Sequence, residues 1–358
     1  MNHERKILIV GNGFDLQHGL KTGYRDFIEY CRVLKTTEIT TREKVSNYHE
    51  MQKLIRELYS MCPSVYEELD DLLDSFWINY FVKLPTKRLD WIDFERDIES
   101  TVKTIYKSIE SDGKYLQSKQ FDEYRQYLPE MGRNISISEE IFQILNRDLK
   151  KLNRLLEIYL ETRVYPNIQK IPSKYQLFKD IHPDMVISFN YTNTYAEIYN
   201  PTIEFDYIHG KADIKRKASD CNMVLGFDDH YFNNENTVLE IVPFEKYYQR
   251  IVNRTSNDYQ QWITQMCDAA RPYQKHLYFY GHSFSPADGD VIKKLITNPY
   301  TDTTIYYRKG VETDRARIIQ NLAIILTPDE LLNRINKPVN GIIFKEVDMD
   351  SMRIDNDM

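Results

Sequence analysis

The chain has 358 residues, 42% of them hydrophobic and 28% charged. That is an ordinary globular composition, long enough for two domains or for one domain carrying an insertion. A net charge of −7 gives no support to a general nucleic-acid binder, which needs a basic face. No apolar run approaches a bilayer span, and the N-terminal run 7–10 is too short for a signal-peptide core. The cysteines are Cys31, Cys62, Cys221 and Cys267. They form no CxxC, which excludes a zinc ribbon and fits reduced thiols in a cytoplasmic protein.

Residues 6–10, KILIV, predict a buried parallel strand, ended by Gly11 and Gly13. A helix is expected from near Gly23, with Phe27, Ile28 and Tyr30 on its apolar face. From 32 to 180 glycine nearly vanishes, and apolar residues recur at spacings of three and four. Leu54, Leu58 and Met61 show this, as do Leu145, Leu149, Leu152 and Leu155. Such spacing predicts amphipathic helices. Residues 111–134 lose the period and read as a loop. Strand patterns return at 185–190, 203–208, 223–227, 277–280, 303–307 and 342–347. Helical patterns lie between several of them, at 257–271, 288–297 and 312–325. Strands alternating with helices predict an α/β fold with a mostly parallel sheet. The expected division is a nucleotide-binding domain from 1–31 and 181–347, a helical insertion at 32–180, and a flexible acidic tail at 348–358.

Polar groups cluster where strands end, the place where open α/β sheets bind ligands. Gly11-Asn12-Gly13-Phe14-Asp15 and Gly19 follow the first strand. Glycines there let backbone amides approach a pyrophosphate at a helix start, or simply make a tight turn. Leu16 stands where the usual dinucleotide fingerprint has its third glycine. Ser188-Phe189-Asn190-Tyr191-Thr192-Asn193 ends a second strand, and Thr192 or Asn193 could equally cap the next helix. His209-Gly210 ends a third, suited to acid–base work or to a structural histidine. Gly281-His282-Ser283-Phe284-Ser285 ends a fourth and suits ribose or phosphate, although Ser285 or Asp288 would also serve as helix caps. Asp228-Asp229-His230 has the residue types of a metal site, but neighbours on an extended segment point to opposite faces.

Taken in order, these motifs resemble the sirtuin NAD site. Gly11, Gly13 and Gly19 match its glycine spacing, with Asn12, Asp15 and Lys21 in place of Ala, Ser and Pro. Asn190 resembles the Asn of its Thr-Gln-Asn segment, His209-Gly210 its catalytic His-Gly, and Gly281-His282-Ser283 its late nucleotide-contacting Gly-Thr-Ser. Across nearly the whole chain, ILIVGNGFDLQHGL, SFNYTN, IHGK, VLGFDD and YFYGHSFSPAD are similar to the abortive infection AbiH family of phage-defence proteins. Trp91, Asp93 and Glu95 are the main match in the helical middle. The resemblance implies a Rossmann-like, sirtuin-like sheet and a bacterial defence protein. It implies NAD as substrate, held by Gly11, Asn12, Gly13, Phe14, Asp15, Gly19, Gly281, His282 and Ser283, with Asn190 and His209 catalytic. Without the sirtuin zinc module, plain NAD cleavage is favoured over deacylation, and no metal is expected. The partners implied are a small-molecule nucleotide and a phage-derived trigger, with no membrane; self-association is left open. Two rival readings stand beside it: a nucleotide sensor without turnover, and a metal-dependent nuclease built on Asp228, Asp229 and His230.

Overall fold

The computed structural model describes residues 4–35, 43–84, 91–112, 122, 124–129, 138–171, 173–227, 239–265, 273–335 and 337–355. The chain divides into two compact units. One comprises Met1–Lys21, Tyr165–Lys211 and Arg254–Met358; the other comprises Thr22–Val164 and Ala212–Asn253. Residues 165–180, expected in the insertion, therefore group with the sheet, and 22–31 and 212–253, expected with the sheet, group with the helices.

The first unit is built on a six-stranded parallel sheet. Its strands are β1 (Arg5–Val10), β3 (Met185–Ser188), β4 (Glu204–Tyr207), β5 (Lys275–Tyr280), β6 (Thr301–Arg308) and β7 (Ile342–Val347), in the spatial order β4-β3-β1-β5-β6-β7. A short antiparallel ribbon pairs β2 (Ser173–Tyr175) with β8 (Arg353–Asp355). Central β1 shows why the sheet is covered on both sides. Side chains alternate across a strand, and β1 sends Ile7 and Ile9 into one core and Leu8 and Val10 into another. The first core is closed by Trp262 and Ile263, by Val291, Ile292 and Leu295 of helix Gly289–Thr297, and by Leu322 and Ile325 of helix Glu312–Leu326. The second is closed by Phe14, by Leu177 and Phe178 of helix Gln176–Ile181, and by Tyr195. An apolar run buried on both faces is what a central parallel strand requires.

The turn after β1 holds a short helix, Asn12–Gln17, ahead of the helix that the sequence predicts from near Gly23. It stops in a Schellman motif: Leu20 N–H donates to Asp15 O (3.1 Å) and Gly19 N–H to Leu16 O (3.0 Å), with Gly19 at φ +76°. That geometry favours glycine. His18 Nδ1 donates to Phe14 O and its Nε2 accepts from the Tyr199 hydroxyl, each at 2.8 Å. Burial lowers its pKa to about 4, so this ring is neutral and serves to fix the helix.

In the second unit, amphipathic helices include Tyr24–Leu34, Glu43–Met61, Pro63–Leu73 and Ser138–Tyr159. Leu145, Leu149, Leu152 and Leu156 form the buried stripe of the last. Asp148 Oδ2 accepts from Phe76 N–H at 2.7 Å, and Trp77 Nε1 donates to Leu145 O at 2.8 Å, fixing helix Phe76–Lys83. Arg154, buried, binds Glu157 (2.7 Å) and Glu68 (3.1 Å), satisfying charges that could not otherwise be buried. Among the described residues no helix is long and apolar enough to cross a membrane.

Two expectations are corrected here. Residues 223–227 are not a strand; only Phe227 bridges, to Glu245. The Gln249 amide takes the place of a neighbouring strand, accepting from Leu225 N–H (3.0 Å) and donating to Leu225 O (2.9 Å). The acidic tail is held rather than loose as far as Asp355: Asp348 pairs with Lys309 at 3.0 Å, Met349 is buried, and β8 pairs with β2. Most of the loop expected at 111–134 lies outside the described residues.

Candidate functional site

The sheet register aligns the motifs. Val10 pairs with both Ser188 and Tyr280, and Ser188 pairs with Tyr207. These four residues form one row, and each is the last of its strand. Two positions beyond them stand Asn12, Asn190, His209 and His282. Side chains from four separate stretches of sequence thus leave the sheet at one level, on its carboxyl edge. All four stretches lie within the first unit.

Gly11, Gly13 and Gly281 bring the β1 and β5 turns together. A Cβ on Gly13 would lie 2.7 Å from Gly281 Cα, and one on Gly11 would lie 2.7 Å from both Gly281 O and His282 Cα. Gly13 N–H donates to Gly281 O (2.9 Å), and Gly11 N–H donates to Tyr280 O (3.1 Å). These amides, expected to face a pyrophosphate, are engaged inside the protein. Phe14, expected beside a cofactor, is a core residue with its ring against Phe178 at 4.8 Å. Gly19 is the helix stop described above. Ser283 accepts at its carbonyl from Asn321 Nδ2 (2.9 Å). Phe284, at φ +56°, holds a conformation that bulky residues rarely adopt. Its N–H donates to His282 Nδ1 at 2.9 Å, so this strained turn positions the His282 ring.

Asp15 is 1% exposed. Its Oδ2 accepts from the Thr192 hydroxyl at 2.6 Å, and Thr194 donates in turn to Thr192 at 3.1 Å. Thr192, one of two expected caps, thus serves Asp15, and Asn193 at the cap position makes no side-chain cap bond. Burial raises the Asp15 pKa to about 6, opposed by the nearby Thr192, Thr194 and Asn190. An acid with a raised folded pKa stabilises the fold below its unfolded value of 3.8, and that contribution is lost as pH rises through about 6. Asp206, likewise pushed up to about 6 by burial, acts in the same window, so a difference measurement is needed. Asp15→Asn should gain on the wild type by up to about 3 kcal/mol between pH 4 and 7. Urea unfolding of both proteins across that range checks it; a constant difference would refute the shift.

Asn190 Nδ2 donates to Gly11 O at 3.1 Å, tying the end of β3 to the β1 turn. His209, 4% exposed, packs edge-on against Phe189 (5.4 Å), and His282 packs on the same ring (4.3 Å). Between the two imidazoles lies Asp288. Its Oδ1 is 3.0 Å from His209 Nε2, and its Oδ2 is 3.6 Å from His282 Nε2. Asp288, with Ser285 one of two expected helix caps, stands at the N-cap of helix Gly289–Thr297 but makes no side-chain cap bond. The signal that could have singled it out is a second carboxylate-bearing segment directly after a His-containing strand end. Ser285 does cap, accepting from Ala287 N–H (3.3 Å).

Among the described residues, no group of three or more His, Cys, Asp or Glu residues is arranged to hold a metal ion. Asp228, Asp229 and His230 lie outside the described residues.

No curated protein and no solved structure matches the chain. Residues 7–307 match the family described as bacteriophage abortive infection AbiH. The match runs from within β1 to within β6 and takes in all four strand-end motifs. The chain belongs to the AbiH family.

Proposed function

We propose that the chain acts in defence against phage and hydrolyses NAD to nicotinamide and ADP-ribose. The defence role follows the family description. The observation that carries the chemistry is the single register row that leads to Asn190, His209 and His282. Counted along the chain, the six sheet strands lie in the order 3-2-1-4-5-6, the order of dinucleotide-binding doubly wound sheets, whose ligands sit beyond the carboxyl ends where the order reverses. This supports a Rossmann-like reading with NAD at that edge.

In the reaction, water oxygen bonds to C1′ of the ribose as the C1′–nitrogen bond breaks. The bonding pair stays on nicotinamide, which leaves neutral and needs no general acid. The transition state is oxocarbenium-like, as in glycoside hydrolysis. The Asn190 amide, both donor and acceptor, orients ribose and water. His209 takes the proton that the water loses and returns it to solvent. On this reading Asp15, whose Oδ2 is taken by Thr192, serves a ribose hydroxyl or a backbone N–H. Since the Gly11 and Gly13 amides are engaged, the phosphates are bound through other groups of the turn, Asn12 among them.

The test is incubation of the purified full-length chain with NAD, alone and with extract of phage-infected cells as a source of trigger. Chromatography should show nicotinamide and ADP-ribose released in equal amounts, unaffected by chelator. NAD bound but intact would favour the sensor reading. Magnesium-dependent cleavage of nucleic acid would favour the nuclease.

A further inference from the structure

We propose that helix Glu43–Met61 carries a second ligand site, which binds a small phosphate-bearing molecule. The helix buries Met51, Leu54 and Leu58. His49, Gln52, Lys53, Arg56 and Glu57 lie on the face opposite, at spacings of three and four. That face is more than a flat solvated surface. These five residues line a cavity of about 400 Å³, a size within the range of small-molecule sites. All five lie in the second unit, and none belongs to the strand-end motifs.

The charges decide what such a cavity can take. Glu57 is the acid among these five, and it is already matched. Arg163 Nη1 meets its Oε2 at 2.8 Å, while Lys53 Nζ stays 4.0 Å from its Oε1. Arg163 stands in the π-helical turn Leu160–Val164, which follows helix Ser138–Tyr159. Such turns are rare and recur at functional positions. With Arg163 on Glu57, the charges of Lys53 and Arg56 are in excess, in a chain whose net charge is −7. Among the described residues, the side chains of Gln52 and Arg56 make no hydrogen bond or ion pair. A guanidinium, an ammonium and an amide on one helix face are a donor set for phosphate oxygens: the Arg56 fork suits two of them, and Lys53 adds a point charge. The size of the cavity favours a free phosphorylated molecule, such as a nucleoside diphosphate. A nucleic-acid backbone asks instead for an extended basic surface.

The experiment is isothermal titration of the full chain with inorganic pyrophosphate, ADP, adenosine and a short oligothymidylate. Wild type should bind pyrophosphate and ADP but not adenosine through this face. Lys53→Gln and Arg56→Gln should each weaken both ligands about tenfold or more, the worth of one charge-assisted hydrogen bond. Glu57→Gln, which removes the negative charge, should tighten them. Lys53 and Arg56 are exposed, so their variants should melt with the wild type. The readout needs no NAD turnover, so failure of the proposed hydrolysis leaves this test standing. Two results would overturn the proposal: no binding of pyrophosphate by the wild type, or equal binding by the double variant Lys53→Gln, Arg56→Gln. The second would assign the anion elsewhere, as to the strand-end edge. Tighter binding of the oligonucleotide than of ADP through the same two residues would overturn the small-molecule assignment.

Discussion

His209→Ala lowers NAD turnover at least a hundredfold in each folded molecule, the effect expected of a lost general base, about 10²–10⁴ in rate or roughly 3–5 kcal/mol of barrier. The variant also loses some stability, because His209 is buried and faces Asp288. Leaving a buried partner short of one contact costs about 1–3 kcal/mol. Turnover must therefore be measured well below the melting temperature and normalised to folded protein. Asn190→Ala provides a cleaner comparison. Gly11 O, which accepts from Asn190 Nδ2, also accepts from Phe14 N–H at 2.8 Å, so no carbonyl is left without a donor. Its expected result is a small change in melting and a large loss of turnover. Equal turnover by wild type and His209→Ala would end the assignment of this histidine as the base.

Gly281→Ala and Gly19→Ala should differ sharply, although both glycines have positive φ, +67° and +76°. At Gly19 nothing lies within 4 Å of an added Cβ, and the cost is the left-handed backbone alone, about 1–2 kcal/mol. At Gly281 the added carbon would meet Phe14 N at 2.3 Å and Gly13 C at 2.6 Å. Those atoms belong to helix backbone beside the buried Phe14 and cannot swing aside, so at least about 4 kcal/mol is expected. Gly13→Val faces the same wall from the other side, with its Cβ 2.7 Å from Gly281 Cα. It should fail to fold rather than fold and lose NAD binding. Thermal unfolding of the two alanine variants decides it; similar melting temperatures would refute the close approach.

What could be read ahead of the structure follows from the range of each interaction. Asn190, His209 and His282 were legible because an apolar run ending in polar residues is a local pattern, and parallel register then brings the ends level. The role of Gly13 was not, because its neighbour Gly281 is distant in sequence; a glycine pair reads as a turn whatever it packs against. Asp288 was hidden by position, since an aspartate ahead of a helix has an ordinary explanation in capping, and only the turned carboxylate shows otherwise. Residues 223–227 have the composition of a strand, but the Gln249 side chain supplies the bonds that a neighbouring strand would have made. The helices of the second unit were plain throughout, because an amphipathic period is written within each helix. Residues 212–253 group with the helices through contacts such as Asn153 Nδ2 to Met223 O (3.3 Å) and Asn253 Nδ2 to Met223 O (2.9 Å), which leave no trace in local composition.

The placement of β1 has a consequence for synthesis. A central strand of the sheet is made before the others, and both strands that flank it, β3 and β5, lie far downstream. At ~5–20 residues per second, roughly 10–35 s pass between translation of β1 and of β3. The Thr22–Val164 helices emerge in that interval and have local partners. Ile7, Leu8, Ile9 and Val10 must meanwhile be kept from pairing with other chains, and this nascent segment is where a chaperone is expected to bind.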